Sequence, residues 1–387
     1  MQQAANPAAL RLLWLTERYY PEQGGMAQSC DRMVTTLREA GVVIDLVHLT
    51  GKRTQWRMEP GRNGRYITAP PGNDPAHALN RLWSMLEAAH AQTPWTHVVA
   101  FGGQVALLAA PVYAAWLGVP LITLLRGNDF DTGIFSLRQR PLLHAALERA
   151  AAVCVVSRDK ARRITALYPQ IQPRWIPNGI DLDTWALLPS ERRRAADWRA
   201  EHVAPERRVL GMFGHIKPKK AGLFFLQTLL NSGYAERFHL LIVGAVSPEI
   251  ESWLETHAGE LHVSRSDFVE HSAMLWRYAA CDLVVVPSFY DGMPNVLLEA
   301  AALGVPLLAA RVGGMADLLA DRQHGFLFTP GDAHDCRWAI TQAATAGDAE
   351  LQQYGAAGHT LVANSLTHRQ EAQRYLEVLY DTLPEAQ

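Results

Sequence analysis

Short apolar runs recur along this chain, and between them apolar positions return every three or four residues. The runs at 12–15, 42–49, 97–101, 121–125, 153–156, 174–176, 209–213, 240–243, 283–286 and 307–308 predict strands. Helical spacing predicts helices at 27–40, closed by Gly41, and at 104–117. A further helix at 367–383 places Tyr375, Leu376, Val378, Leu379 and Leu383 on one side. Residues 98–125 carry no charged side chain and are long enough to span a membrane. Gly102-Gly103, Pro111 and Gly118-Val119-Pro120 punctuate that run, so it predicts a buried strand, a helix, a turn and a second buried strand instead. Strand–helix alternation of this kind predicts parallel, doubly wound α/β sheets, covered on both faces.

The strand set comes twice. Ala114 to Leu121 (AAWLGVPL) echoes Ala300 to Leu307 (AAALGVPL), each a helix end, a glycine turn and a proline leading into a buried strand. This points to two Rossmann-like domains, residues 1–187 and 188–366, with the partly helical, charged stretch 188–208 as the linker region. Two doubly wound domains are expected to leave an interdomain cleft, with ligands at the carboxyl ends of the strands.

Composition narrows the classes. The 387 residues are 49% hydrophobic and 19% charged, ordinary for domains with substantial cores. A formal net charge of −2 argues against a nucleic-acid binder. Cys30, Cys154, Cys281 and Cys336 are scattered, which suits reduced thiols in the cytoplasm. The opening MQQAANPAALRLLWLT lacks a basic region before a long apolar core, so no signal peptide is expected. The histidines are dispersed, and no metal-ligand spacing stands out.

Five segments carry candidate chemistry. The richest is PSFYDGMPNVLLEAAALGVPLLAARVGG, from Pro287 to Gly314. A strand, a glycine-containing loop with Asp291, and a helix with Glu299 follow one another there. A helix start suits a diphosphate, and two carboxylates suit sugar hydroxyls. Asp291 also fits a plain helix cap, with Glu299 on the helix surface. Yet Glu299 lies among Leu297, Leu298 and Ala300 to Ala302, where a carboxylate needs a partner such as a ribose diol. The segment Gly214-His215-Ile216-Lys217-Pro218-Lys219-Lys220 follows a strand and concentrates positive charge suited to a diphosphate. Alone it also fits a solvated charge run. Gly24-Gly25 opens a helix and fits either a phosphate loop or a flexible turn. Arg126-Gly127-Asn128-Asp129 ends a strand and fits either a sugar or acceptor site or a cap with a surface arginine. Pro177-Asn178-Gly179-Ile180-Asp181 reads first as a turn. Residues 136–149 carry Arg138, Arg140 and Arg149 with Leu137, Leu142, Leu143 and Leu147. They fit an ordinary amphipathic surface helix or contact with an anionic membrane.

Taken together, these residues resemble the family-4 glycosyltransferases, retaining enzymes of the GT-B architecture. The likeness covers nearly the whole chain, and its specific part is the E-x7-E region at Asp291 and Glu299. The resemblance implies metal-independent hexose transfer from a nucleoside-diphosphate sugar, without a cofactor, to a saccharide, lipid-linked or small-molecule acceptor. It implies a cytoplasmic protein, with peripheral contact at the inner membrane face kept open. It assigns the acceptor to the N-terminal domain, with helix 367–387 packing back on it, and the donor to the C-terminal domain. Glu299 would hold the ribose and Asp291 the transferred sugar. The backbone from Gly292 to Leu297 (Met293, Pro294, Asn295 and Val296 between them) would line that sugar and the phosphate, through the N–H groups that its non-proline residues carry. Lys220 would stabilise the leaving diphosphate, with His215 and the Gly24-Gly25 loop beside it. Arg126, Asn128 and Asp129 would lie on the acceptor side. The chain departs from the family pattern at three places: Asp291 stands for glutamate, His215 for arginine and Arg126 for histidine. Arginine keeps hydrogen-bond donors but is no base near neutral pH. These departures also admit a catalytically altered GT-B protein that only binds nucleotide sugars.

Overall fold

The structure, a computed structural model, describes residues 10–22, 24–267 and 269–383. The first nine residues of the opening stretch and the last four of the expected terminal helix lie outside the described residues. The chain forms two compact units, one ending at Asn178 and resumed at His368, the other running from Gly179 to Thr367.

The first unit is built from β1 (Arg11–Thr16), α1 (Gly25–Glu39), β2 (Val43–His48), β3 (Arg57–Gly61), β4 (Gly64–Thr68), α2 (Pro75–Gln92), β5 (His97–Phe101), α3 (Gln104–Leu117), β6 (Leu121–Leu125), α4 (Asp129–Gly133), α5 (Arg140–Glu148), β7 (Ala152–Val155), α6 (Arg158–Leu167) and β8 (Arg174–Trp175). Its sheet runs β3-β4-β2-β1-β5-β6-β7-β8, parallel throughout except for the β3–β4 hairpin. The punctuated run 98–125 is β5, α3 and β6, and no helix among the described residues is long and apolar enough to cross a membrane.

The second unit comprises α7 (Pro189–His202), β9 (Arg208–Phe213), a 3-10 turn (Pro218–Lys220), α8 (Gly222–Leu230), β10 (Phe238–Val243), α9 (Pro248–Thr256), β11 (His262–Ser266), α10 (His271–Ala279), β12 (Leu283–Val286), α11 (Asn295–Ala302), β13 (Leu307–Ala310), α12 (Gly313–Leu318), β14 (Gly325–Phe328), α13 (Ala333–Thr345) and α14 (Asp348–Ser365). Its parallel sheet runs β11-β10-β9-β12-β13-β14. The order reverses between β9 and β12, the switch point at which doubly wound sheets open a crevice at their carboxyl ends. In the first unit the reversal lies between β1 and β5.

Two boundaries differ from the sequence reading. The stretch 188–208 is no linker: α7 packs on α10, where Ala195, Trp276 and Ala280 share a small core. The change of unit therefore falls after Asn178 rather than after residue 187. The terminal helix α15 (His368–Asp381) belongs to the first unit, where Tyr375, Leu376, Val378 and Leu379 pack with Leu12, Trp14 and Val34. Expected helix 136–149 is likewise shorter. It begins at Arg140, and Leu143 and Leu147 point into the core.

Candidate functional site

Two loops meet at the switch point of the second unit. After β9 the chain makes the 3-10 turn that ends in Lys220. After β12 it runs through Pro287 to Pro294 into α11. The Phe289 N–H donates to the Lys219 carbonyl at 3.0 Å, which fastens the second loop to the first. Lys220 then ion-pairs with Asp291, whose side chain is only 12% exposed. The other carboxylate oxygen of Asp291 accepts from the Gly292 N–H at 2.9 Å. Burial alone would raise the Asp291 pKa. The Lys220 ammonium and then Lys219 outweigh it and hold the carboxyl below its ordinary value. Asp291 is thus ionised and turned to Lys220, rather than capping α11. That helix starts behind Pro294 with no side-chain cap.

Gly313-Gly314 brace this loop from behind. A side chain at Gly313 (φ 52°) would strike the Asp291 carbonyl, and the Gly314 N–H donates to the Gly292 carbonyl at 2.5 Å. These glycines permit a close backbone approach that fixes the carboxylate.

Glu299 is buried, not a helix-surface glutamate. The Tyr278 hydroxyl donates to it at 2.5 Å. Tyr278 is fully buried, stacked on Phe213 at 3.9 Å between centroids and met edge-on by Trp185. Burial, then the Glu299 charge, push the Tyr278 pKa well above its ordinary value, so the phenol stays a donor. Protein thus supplies a partner that the sequence reading left to a ribose. His215 is exposed, and desolvation followed by Lys217 push its pKa down, so it is neutral near pH 7. An ionised carboxylate paired with a cation, an uncapped helix start and a buried, oriented glutamate are together suited to phosphate and hydroxyl groups.

The corresponding position in the first unit is differently filled. Glu17, just after β1, accepts from the Val105 and Ala106 N–H groups at the start of α3. Asp129 accepts from the Gly103 N–H at 3.0 Å and the Gly127 N–H at 3.2 Å. Two protein carboxylates therefore occupy the helix start at that switch point. Gly24 (φ 115°) precedes α1 with open space where a side chain would be. The side-chain carbonyl oxygen of Asn128 is buried without a hydrogen-bond partner among the described residues.

Arg126 is neither a surface arginine nor an open one. It is 4% exposed and donates to the Tyr375 hydroxyl at 2.6 Å, to Glu371 at 2.6 Å and to Asn178. Glu371 is also bound by Arg32. Burial opposes the Arg126 charge, but Tyr375 and Glu371 more than offset it and raise its pKa. The guanidinium is committed to α15.

The fold thus brings Lys220 and Asp291 together, with Gly292 bonded to the Asp291 carboxylate. Met293, Pro294, Asn295, Val296 and Leu297 lead from that carboxylate into α11, which carries Glu299. Gly24, Gly25, Arg126, Asn128 and Asp129 lie in the other unit. Sequence reasoning missed Tyr278, Glu17 and Glu371. A signal existed for Glu371, a charge four residues before Tyr375 on the apolar face of the terminal helix. Among the described residues no group of three or more His, Cys, Asp or Glu is placed to hold a metal.

Solved structures match this fold along the chain. Sucrose-phosphate synthase from Thermosynechococcus elongatus superposes with a TM-score of 0.76 at 19% identity, covering 96% of this chain and 98% of that one. Anabaena HepE, solved in complex with UDP and glucose, gives 0.73 at 18% identity, covering 96% and 100%. The architecture is GT-B. The family described as glycosyl transferases group 1 matches residues 207–345, and the glycosyl transferase 4-like domain matches residues 24–179. The chain belongs to the family-4 glycosyltransferases. Among curated relatives, the D-inositol 3-phosphate glycosyltransferase of Stackebrandtia nassauensis is 31% identical over 181 residues, 44% of this chain and 40% of that protein. The protein of the same name from Kribbella flavida is 25% identical over 359 residues, 84% of this chain and 83% of that protein. The match thus spans well under half of the first relative's length.

Proposed function

We propose that this protein transfers a hexose from a nucleoside-diphosphate sugar to a saccharide, lipid-linked or small-molecule acceptor, with retention and without a metal. The observation that carries this reading is the Lys220–Asp291 pair at the second unit's switch point, with buried Glu299 one helix away. Glu299 holds the ribose diol, and Lys220 and the α11 N–H groups take the diphosphate. Asp291 and the backbone from Gly292 to Leu297 hold the sugar, and His215 borders the phosphate. The C1–O bond to the diphosphate breaks as a C1–O bond to the acceptor forms on the same face. The acceptor hydroxyl proton passes to the departing phosphate. The lysine run supplies the positive charge that a metal would otherwise bring.

The first unit takes the acceptor. Its own switch point already carries Glu17 and Asp129, which disfavour a diphosphate there, while Asn128 keeps an acceptor atom unused. Lys220→Ala and Glu299→Ala are expected to keep the fold and lower donor turnover at least tenfold, read by kinetics and by calorimetry with UDP-, ADP- and GDP-sugars. Unchanged kinetics in both variants would sink the assignment. Transfer should persist in EDTA, and NMR of the first-formed product should give the donor's anomeric configuration.

A second reading is a nucleotide-sugar-binding protein with altered catalysis. The commitment of Arg126 to Glu371, Tyr375 and Asn178 favours it, because that side chain then leaves the acceptor side unserved. Tight donor binding with neither hydrolysis nor transfer across a broad acceptor panel would select this reading.

A further inference from the structure

Residues 134–139 join α4 to α5 and turn two large apolar side chains outward. Phe135 is 89% exposed and Leu137 93%, and the next large apolar side chain among the described residues, Tyr20, is 69% exposed. The turn is closed rather than frayed. The Ser136 N–H donates to the Gly133 carbonyl at 3.1 Å, and the Arg140 N–H donates to the Ser136 carbonyl at 2.9 Å. In α5 itself Leu143 and Leu147 are buried and Leu142 is half-buried. What faces out is therefore the turn before the helix.

Charge singles out the same place. Arg138 and Arg140 are exposed, and neither forms an ion pair among the described residues. Nearby carboxylates are engaged elsewhere: Asp129 by backbone N–H groups, Asp131 by Lys160 and Arg163, Glu148 by His144. No Asp or Glu occurs between Asp131 and Glu148. We propose that this turn docks the chain on an anionic lipid surface. Phe135 and Leu137 enter the headgroup–acyl boundary, and Arg138 and Arg140 lie among the lipid phosphates. Two projecting side chains fall far short of the roughly 800 Å² per partner of a standard protein interface. A bilayer demands no complementary surface, so the same two tips suffice for weak, reversible adhesion.

Flotation of the full chain with vesicles tests this. Vesicles of phosphatidylcholine with about one-third phosphatidylglycerol should carry the protein, pure phosphatidylcholine should not, and added salt should release it. Phe135→Ser/Leu137→Ser and, separately, Arg138→Glu/Arg140→Glu should each cut partitioning at least tenfold with an unchanged thermal midpoint. A polarity-sensitive dye on Leu137→Cys should shift to the blue on the anionic vesicles alone. The proposal is overturned if wild type ignores anionic vesicles at millimolar lipid, or if both double variants partition like wild type. It is equally overturned if the turn variants change only the oligomeric state, which would make this a protein contact.

Discussion

An aspartate where a glutamate is usual shortens the reach of a carboxylate by one methylene, and Asp291 uses its reach on Lys220. The pair joins residues 71 apart in sequence, so neither partner could be read from the other. Lysines and carboxylate were each legible as charge at a strand's end; their pairing was not, because it depends on loops from β9 and β12. The depressed pKa of Asp291 has a definite sign. Its stabilisation is present above the unfolded value near 3.9 and is lost as pH falls through the lower folded value. In Lys220→Ala burial is opposed only by Lys219 and the Gly292 N–H, so the Asp291 carbon resonance should titrate at higher pH than in wild type. The variant should lose about 1–2 kcal/mol at pH 7, less than for a deeply buried pair because the Lys220 side chain is 28% exposed, with the deficit narrowing in acid. Tyr278 had no sequence signal at all, since a tyrosine on α10 becomes informative only when α11 lies beside it. It fixes the oxygen that Glu299 can offer a ligand. Tyr278→Phe should therefore weaken discrimination between a ribonucleoside diphosphate and its 2′,3′-dideoxy analogue. A hydrogen bond to a charged group is worth about 1.5–3 kcal/mol, or roughly tenfold to a hundredfold in affinity. Glu299→Ala should abolish the discrimination. If it does and Tyr278→Phe keeps all of it, Tyr278 has no positioning role.

Most strands buried on both faces were legible, although β14, buried along its length, was missed. The two echoed helix-to-strand turns use one solution, with left-handed glycines Gly118 (φ 66°) and Gly304 (φ 69°) closing α3 and α11. The β3–β4 hairpin and edge strand β11 escaped the pattern because they carry few buried residues: β3 is exposed along its length and β11 is mostly half-buried. The partly helical, charged stretch read as a linker contains α7, whose single buried residue, Ala195, leaves no apolar stripe to show that it packs. Helix α15 was legible by its stripe, but not the buried Arg126–Glu371 pair that locks it down. Glu371→Ala strands the Arg126 charge and should cost about 3–5 kcal/mol in chemical denaturation. Replacing both residues by leucine should recover part of that loss, because the stranded Arg126 charge is gone while Arg32 still loses its Glu371 partner.

Across the whole molecule, buried histidines resist protonation: His48 and His97 in the first unit, His239 and His324 in the second. Burial pushes His97 in the first unit and His239 in the second down to about 4. A histidine with a folded pKa below its unfolded value of about 6.5 favours the fold above pH 6.5, and that advantage is lost as pH falls towards 4. Each contributes at most about 3 kcal/mol, and a His97→Gln/His239→Gln protein should show a flatter loss of denaturant midpoint between pH 6.5 and 4. Domain number was legible in the repeated strand set; the crossing points were not, because they lie in short segments without periodicity. Those crossings have a consequence for how the gene can be cut. Ile180 and Thr367 form a bridge, with the Ile180 N–H on the Leu366 carbonyl at 2.9 Å, so the second unit begins and ends at one spot. On the other side Arg126 holds both Asn178 and Glu371. Residues 179–367 are therefore a cassette inserted into a host whose ends already meet. Expressed alone, the cassette should fold and bind a nucleoside diphosphate, and the host should close over a short glycine linker from 178 to 368. On the proposed assignment of the donor to the second unit, exchanging cassettes between relatives would change the donor while leaving the host's part of the gene untouched.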